Sequence, residues 1–347
     1  MTSTLLLPRR PLPRARLRPR VAAMTALTAL ALAAVVCAAL SLGDRTTPPA
    51  ELLAALVGTG ADSTLFAVHQ VRLPRVATAL VVGAAFGIAG GITQSVLRNP
   101  IASPDILGVT GGASAAVVAV IAVGAAGGTV GVVSLPLAAI GGGLLCAAAV
   151  YALAWSGGVR GRRLLLVGIA LSAAMTALTQ YLLTIIDVMA AQRAAVWITG
   201  SLNAASWERL LPVAVAAGVL LPLVFGLAHT NRALLFDDDV AAGWGVSVNR
   251  GRTALVVLAV VLASVATSAA GPIAFAALVS GQVARRLART PDIPPVLSGT
   301  VGALLVLSAD TVGRTAFPVQ LPVGVLTALI GAPFLLYLLQ RGPARRS

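Results

Sequence analysis

The sequence predicts an all-α, polytopic membrane protein of about ten transmembrane helices with both termini cytoplasmic. Three observations carry that prediction. Of its 347 residues, 58% are apolar and only 10% charged, whereas a soluble protein of this size carries about a quarter of its residues as charge. Apolar runs of about twenty residues recur along the chain, each long enough at ~1.5 Å per residue to cross a ~30 Å hydrocarbon core. Between those runs the basic residues gather in alternate gaps, as topology signals do.

The chain opens on an Arg/Pro-rich tail, residues 1–20, followed by an apolar run at 21–42. A cleaved signal peptide has an apolar region of only about 7–15 residues, so this longer run reads as an uncleaved first span. A polar loop at 43–71, with a short helix expected around 50–57, leads to RLPR (Arg72 to Arg75). The second span, 75–97, stops at RNP (Arg98, Asn99, Pro100), and the third starts after Pro104 and Asp105 and ends near 124, passing Gly108. A glycine-rich turn at 124–131 precedes the fourth span, 135–155, and a basic loop (Arg160, Arg162, Arg163) separates that from the fifth, 164–186. An interfacial stretch, 187–209, holds Trp197 and Trp207, residues suited to the headgroup layer. The sixth span, 210–228, is followed by the longest polar gap, 229–252, with the triplet Asp237, Asp238, Asp239. The last four fall at 253–270, 273–285 (short and glycine-interrupted), 296–311 and 321–339, before an arginine-rich tail at 341–347. Residues 21–340 thus form one transmembrane domain, with 229–252 as a loop within it.

Orientation follows from arginine. With the tails inside, only Arg45, Arg72, Arg75, Arg193, Arg209 and Arg314 lie outside, which leaves nineteen of the 25 basic residues on the inner side. RLPR is therefore outside and RNP inside. Within the second span, Gly83, Gly87 and Gly90 let helix backbones approach closely where hydrophobicity cannot drive association.

Several function classes drop out. All 25 basic residues are arginine, and without a lysine no phosphate-binding loop of the G-x-x-x-x-G-K-[ST] type exists in this chain, so any ATP is bound elsewhere. The formal charge of +14 points to topology rather than to nucleic acid, because the arginines sit at span ends. Cys37 and Cys146 lie in apolar runs, and His69 and His229 lack partners at metal-ligand spacing. No nucleophile, base and orienter can be assembled, so the chain reads as no enzyme. Ion coupling needs Asp, Glu or His relays at membrane depth, and only Asp187 and Asp310 approach apolar surroundings, both at outer span ends. Asp310 and Arg314, four apart, fit a local helix pair as well as a functional one. An ion-coupled secondary transporter stays as the remote alternative to a passive pathway driven by another chain.

Five stretches carry a family resemblance: VRLPR at 71–75, GAAFGIAGGITQSVLRNPIASPDILGVTGGA at 83–113, WITGSL at 197–202, GPIAFAALV at 271–279, and SADTVGRTAFPVQLPVGVLTALIGAPFLLYLL at 308–339. Together, and in this order, they resemble the FecCD family of ABC-importer permeases, which serve iron-siderophore, haem and cobalamin uptake. The resemblance implies a multi-pass permease of the cytoplasmic (inner) membrane that pairs with a second permease subunit. It implies two cytoplasmic ATPase subunits, which hold the ATP and Mg, so that this chain binds no cofactor, and an extracytoplasmic substrate-binding protein. It assigns docking of that protein to Arg72, Arg75 and Arg314, and ATPase coupling to the loop with Leu235, Phe236, Asp237, Asp238, Asp239, Val240 and Trp244. Gly83, Gly87, Gly90, Arg98, Asn99, Pro100, Pro104, Asp105 and Gly108 are its motif and packing positions. Siderophore ranks ahead of haem and cobalamin as cargo. One departure stands out: members commonly carry proline before a histidine or glutamine where Gly281 precedes Gln282, and the glutamine form resembles permeases that pair with a non-identical sister.

Overall fold

The computed structural model describes residues 18–43, 46–128, 131, 134–155 and 161–340. Most of the N-terminal tail, Arg45, Arg160 and the tail at 341–347 lie outside the described residues. Among those described, all regular structure is helical. The ten expected spans correspond to α1 (Pro19–Ser41), α4 (Leu73–Val96), α5 (Val109–Ala125), α6 (Ser134–Ala154), α7 (Gly161–Ile185), α9 (Trp207–Gly226), α12 (Val248–Ala270), α13 (Ala276–Ala288), α14 (Pro295–Thr315) and α15 (Val323–Gln340). Short helices fill the gaps: α2 (Pro49–Leu56) and α3 (Asp62–Phe66) before α4, α8 (Val188–Ile198) in the interfacial stretch, and α10 (Ala228–Ala233) and α11 (Asp238–Gly243) in the long polar loop. Among the described residues, seven helical segments are long and apolar enough to cross a membrane by themselves, while Val109–Ala125 and Val323–Leu338 are shorter apolar helices.

Burial sorts the spans into centre and periphery. In α4, α12 and α14, 78%, 72% and 67% of the most apolar stretch lies inside the protein, against 6% in α1 and 17% in α7, so the first three form the core and the last two turn their apolar side chains to lipid. The centre is held by small residues rather than by large ones. An added Cβ at Gly83 would lie 2.6 Å from Gly302 O on α14, and one at Gly87 or Gly90 would overlap the carbonyls of Ser298 on α14 and Ala277 on α13. These three positions share one face of α4, and any side chain there would push the neighbouring helices apart.

The eighth span differs from the others in kind. At 13 residues α13 rises only ~20 Å, too short to cross alone. The chain before it is irregular, with Gly271 at φ 73° and Phe275 in the left-handed region at φ 62°. Irregular backbone at membrane depth is tolerated only where protein surrounds it, and here WITGSL and LPVG supply the surroundings. Ser201 N–H donates to Ala270 O at 2.8 Å, and Gly324 N–H to Gly200 O at 3.1 Å. Added Cβ atoms at Gly200, Gly271 and Gly324 would strike the carbonyls of Pro272, Trp197 and Thr199. Three sequence stretches far apart in the chain thus meet backbone to backbone at one junction.

Candidate functional site

The central helix α4 presents chemistry at both ends. At its inner end the helix stops at Leu97, and Arg98 takes up a left-handed φ of 48°. That conformation costs a non-glycine residue about 1–2 kcal/mol, and the side chain is where the compensation lies. Nε of Arg98 donates to Leu234 O at 2.9 Å, one Nη donates to Phe236 O, and the same Nη donates to Asp238 Oδ1 at 2.8 Å. Asp237 stands 3.7 Å from the other Nη. One guanidinium therefore satisfies the carbonyls left open where α10 ends and grips the start of α11.

Asp238 Oδ1 also accepts from Arg252 Nη2 at 2.9 Å, which ties the loop to α12. Partial burial works against the charged carboxylate, but the hydrogen bond and charge of Arg252, joined by Arg98, outweigh it and hold Asp238 below the ordinary range. A depressed folded-state pKa stabilises the fold above the unfolded value of about 3.9 and loses that contribution as pH falls through the folded value. The node is therefore charged throughout the neutral range.

The same loop presents an apolar patch. Leu234 and Ala241 are buried against the transmembrane body, Leu235 is half-buried, and Phe236, Val240 and Trp244 are about half exposed. The rings of Phe236 and Trp244 meet edge to face at 5.1 Å, so they form one rigid apolar knob. Asp237, with its side chain 92% exposed, and Asp239 rim it. Asn99 shapes the turn beside this node, its Oδ1 accepting from Ile101 N–H at 3.1 Å, and Pro100 is exposed. Pro104 opens a 3₁₀ turn that closes at Gly108 with φ 84°. Asp105 within that turn accepts from Thr110 and Ser103 and lines a cavity of about 680 Å³, together with Thr199, Phe275 and Val325.

At the outer end the three arginines expected to face a partner are turned into the protein. Arg72 is buried at 7% exposure and donates through Nη1 to Leu40 O (2.6 Å), Ser41 O (3.2 Å) and Thr47 Oγ1 (2.9 Å). Arg75 makes a two-point pair with Asp310, Nε to Oδ2 at 2.9 Å and Nη2 to Oδ1 at 2.8 Å. Arg314 donates to Ala39 O and Leu42 O, with its Nε 3.9 Å from Asp310. Cations at the carbonyl end of α1 satisfy its open acceptors and complement its dipole. Together the three guanidiniums fasten α1, α4 and α14 at one level.

Two further polar clusters join residues far apart in the chain. Gln94, on α4, donates to Leu278 O at 2.9 Å and accepts from Gln282 at 2.7 Å, and Gln282 in turn accepts from Arg285 at 2.8 Å. A Cβ at Gly281 would lie 2.5 Å from Gln94 Oε1, so the residue that departs from the family motif is the one that makes room for this amide. On the inner side Asp292 pairs with Arg18 at the start of α1 and with Arg232 of α10. An aspartate in an arginine-rich inner loop was the available signal for it.

A bundle of about ten apolar helices whose polar inner loop carries an exposed aromatic knob defines the class, a multi-pass membrane protein. The chain belongs to the FecCD transport family, whose model matches residues 31–341. It is 40% identical over 320 residues to the achromobactin transport system permease protein CbrC of Dickeya dadantii, covering 90% of each chain. It is 37% identical to the ferric enterobactin transport system permease protein FepG of Escherichia coli, covering 86% of this chain and 89% of that one. With the iron(3+)-hydroxamate import system permease protein FhuG of Bacillus subtilis it shares 36% identity, over 91% and 96%. A solved ABC transporter assigned to the metal-chelate type, in an inward-facing conformation, superposes with a TM-score of 0.82 at 26% identity, covering 92% of this chain and all of that one.

Proposed function

We propose that this chain is the permease subunit of an ATP-driven importer for a ferric siderophore or similar iron chelate in the cytoplasmic membrane. It works beside a second permease subunit, two cytoplasmic ATPases that bind the ATP and Mg, and an extracytoplasmic binding protein. The observation that carries the reading is the Phe236, Val240 and Trp244 knob, fixed to the foot of the central helix through Arg98 and to α12 through Arg252. Exposed aromatics on a polar inner loop are a protein contact rather than a lipid one. The names of the relatives, all iron-chelate permeases, support the cargo class.

The chain itself hydrolyses nothing. Nucleotide binding and release in the ATPases displace the knob, Arg98 passes that displacement to α4, and the packed core of α4, α12 and α14 moves as one body between outward and inward access. The work comes from the different affinities of the two states for nucleotide and binding protein. At the outer end Arg72, Arg75 and Arg314 order the rim on which the binding protein docks. The glutamine form at Gln282 favours a non-identical sister subunit.

The test is assembly. Phe236→Ser combined with Trp244→Ser removes the buried anchors of such an interface, each worth about 2 kcal/mol or more. Co-purification of the cognate ATPases with the membrane-embedded permease pair is expected to fall at least tenfold. Undiminished co-purification would remove the knob from the interface.

A further inference from the structure

The inner halves of α13 and α14 stand apart from the main core. Ala276 and Leu307 in their outer halves belong to that core, whereas Ala284, Ala288, Ile293 and Leu297 form a separate hydrophobic cluster, with Val21 and Met24 of α1 packed against it. Arg20 adds a polar tie, its Nε donating to Leu287 O at 3.0 Å. The inner ends of α1, α13 and α14 therefore hold together by their own contacts.

Asp292, in the loop between α13 and α14, is 7% exposed and divides its two oxygens between two directions. Oδ1 accepts from Arg18 at the start of α1, inside this group of helices. Oδ2 stands 3.3 Å from Nε of Arg232, which belongs to α10 in the inner loop. Two residues on, Leu234 O accepts from Arg98 at the foot of the central helix. One end of α10 is thus tied both to α4 and, through Asp292, to a second body of helices.

We infer that Asp292 is a positioning residue for transport: through Arg232 it transmits displacement of the inner loop to α1, α13 and α14, in parallel with the Arg98 link to α4. The inference rests on the importer reading above and adds a residue and a route to it. Shelter from water makes the tie effective, since a carboxylate this buried gains little hydration when its partner withdraws. The route also ends at the cavity. α13 follows the irregular backbone at Gly271 and Phe275, and its outer end contributes Phe275 and Leu278 to the wall of the cavity of about 680 Å³. Displacing the inner end of this 13-residue helix tilts it and reshapes that wall.

The experiment uses both permease subunits with their ATPases in proteoliposomes, with radiolabelled ferric siderophore on the cognate binding protein outside and ATP inside. It reads chelate imported per ATP hydrolysed, together with thermal unfolding. Arg232→Gln and Asp292→Asn are each expected to lower that ratio about threefold or more, the scale of one partly exposed ion pair. The double variant is expected to fall no further than the single ones, because both act through one link. Arg232→Lys should restore most of the ratio. Arg18→Gln removes the tie inside the helix group and is expected to lower the unfolding temperature while leaving the ratio unchanged. An unchanged ratio in Asp292→Asn overturns the inference even if Arg232→Gln lowers it, for Arg232 would then act on an ATPase directly. An equal loss of ratio in Arg18→Gln overturns it too, by reducing Asp292 to a general brace. Absence of ATP-dependent uptake by the unaltered transporter would instead sink the importer reading, so the two failures are distinct.

Discussion

Asp310→Ala is expected to destabilise the protein by roughly 3–5 kcal/mol, the typical cost of leaving one partner of a buried ion pair uncompensated. Asp310 is 2% exposed and holds Arg75 at two points, with Arg314 at its other side. Removing it leaves the largely buried Arg75 guanidinium without its two-point partner and Arg314 with backbone carbonyls alone, at the level where α1, α4 and α14 join. Thermal unfolding of the purified permease pair reads the effect. The double variant Arg75→Leu with Asp310→Leu should recover part of the loss, because an apolar pair of similar volume replaces an ion pair with little penalty. A loss below about 1 kcal/mol in the single variant would mean that the outer arginines are not braces.

Arg98→Ala is expected to cut ATP-driven uptake about tenfold or more while ATP hydrolysis by the partner subunits continues. It removes charge-assisted hydrogen bonds to Leu234 O, Phe236 O and Asp238, each worth about 1.5–3 kcal/mol when sheltered and less at this half-exposed site. Arg98→Gly separates stability from coupling. Glycine adopts φ 48° without the penalty that alanine suffers, so its stability should lie above that of the alanine variant. Its coupling should be equally poor, because the guanidinium is gone in both. A glycine variant with normal coupling would assign Arg98 to terminating α4 and nothing more.

Much of the fold is legible in the sequence because membrane insertion reads local composition. Each expected span depends on a continuous stretch of apolar residues, and the arginine asymmetry orients the whole set. The eighth span is less legible: its shortness is visible, but the left-handed Phe275 and the glycine junction with WITGSL and LPVG depend on segments more than a hundred residues away in part. The site divides in the same way. Exposed Phe236 and Trp244 in a polar loop can be read locally. Arg98 with Asp238, 140 residues on, and Arg75 with Asp310, 235 residues on, cannot, since spacing says nothing about which distant charges meet. That is why the sequence places Arg72, Arg75 and Arg314 on the outer side but does not show that Arg72 and Arg314 meet the end of α1 and Arg75 meets Asp310. Gly281 is a milder case, a departure in one helix explained only by Gln94 in another.

The most direct test of an ATP-driven import permease is uptake of iron chelate into proteoliposomes holding the permease pair and its ATPases, with loaded binding protein outside and ATP inside. The account predicts uptake that requires ATP and an intact nucleotide site in the partner ATPases, and that is indifferent to a proton or sodium gradient. Uptake that persists without the ATPases and follows an imposed ion gradient would contradict it.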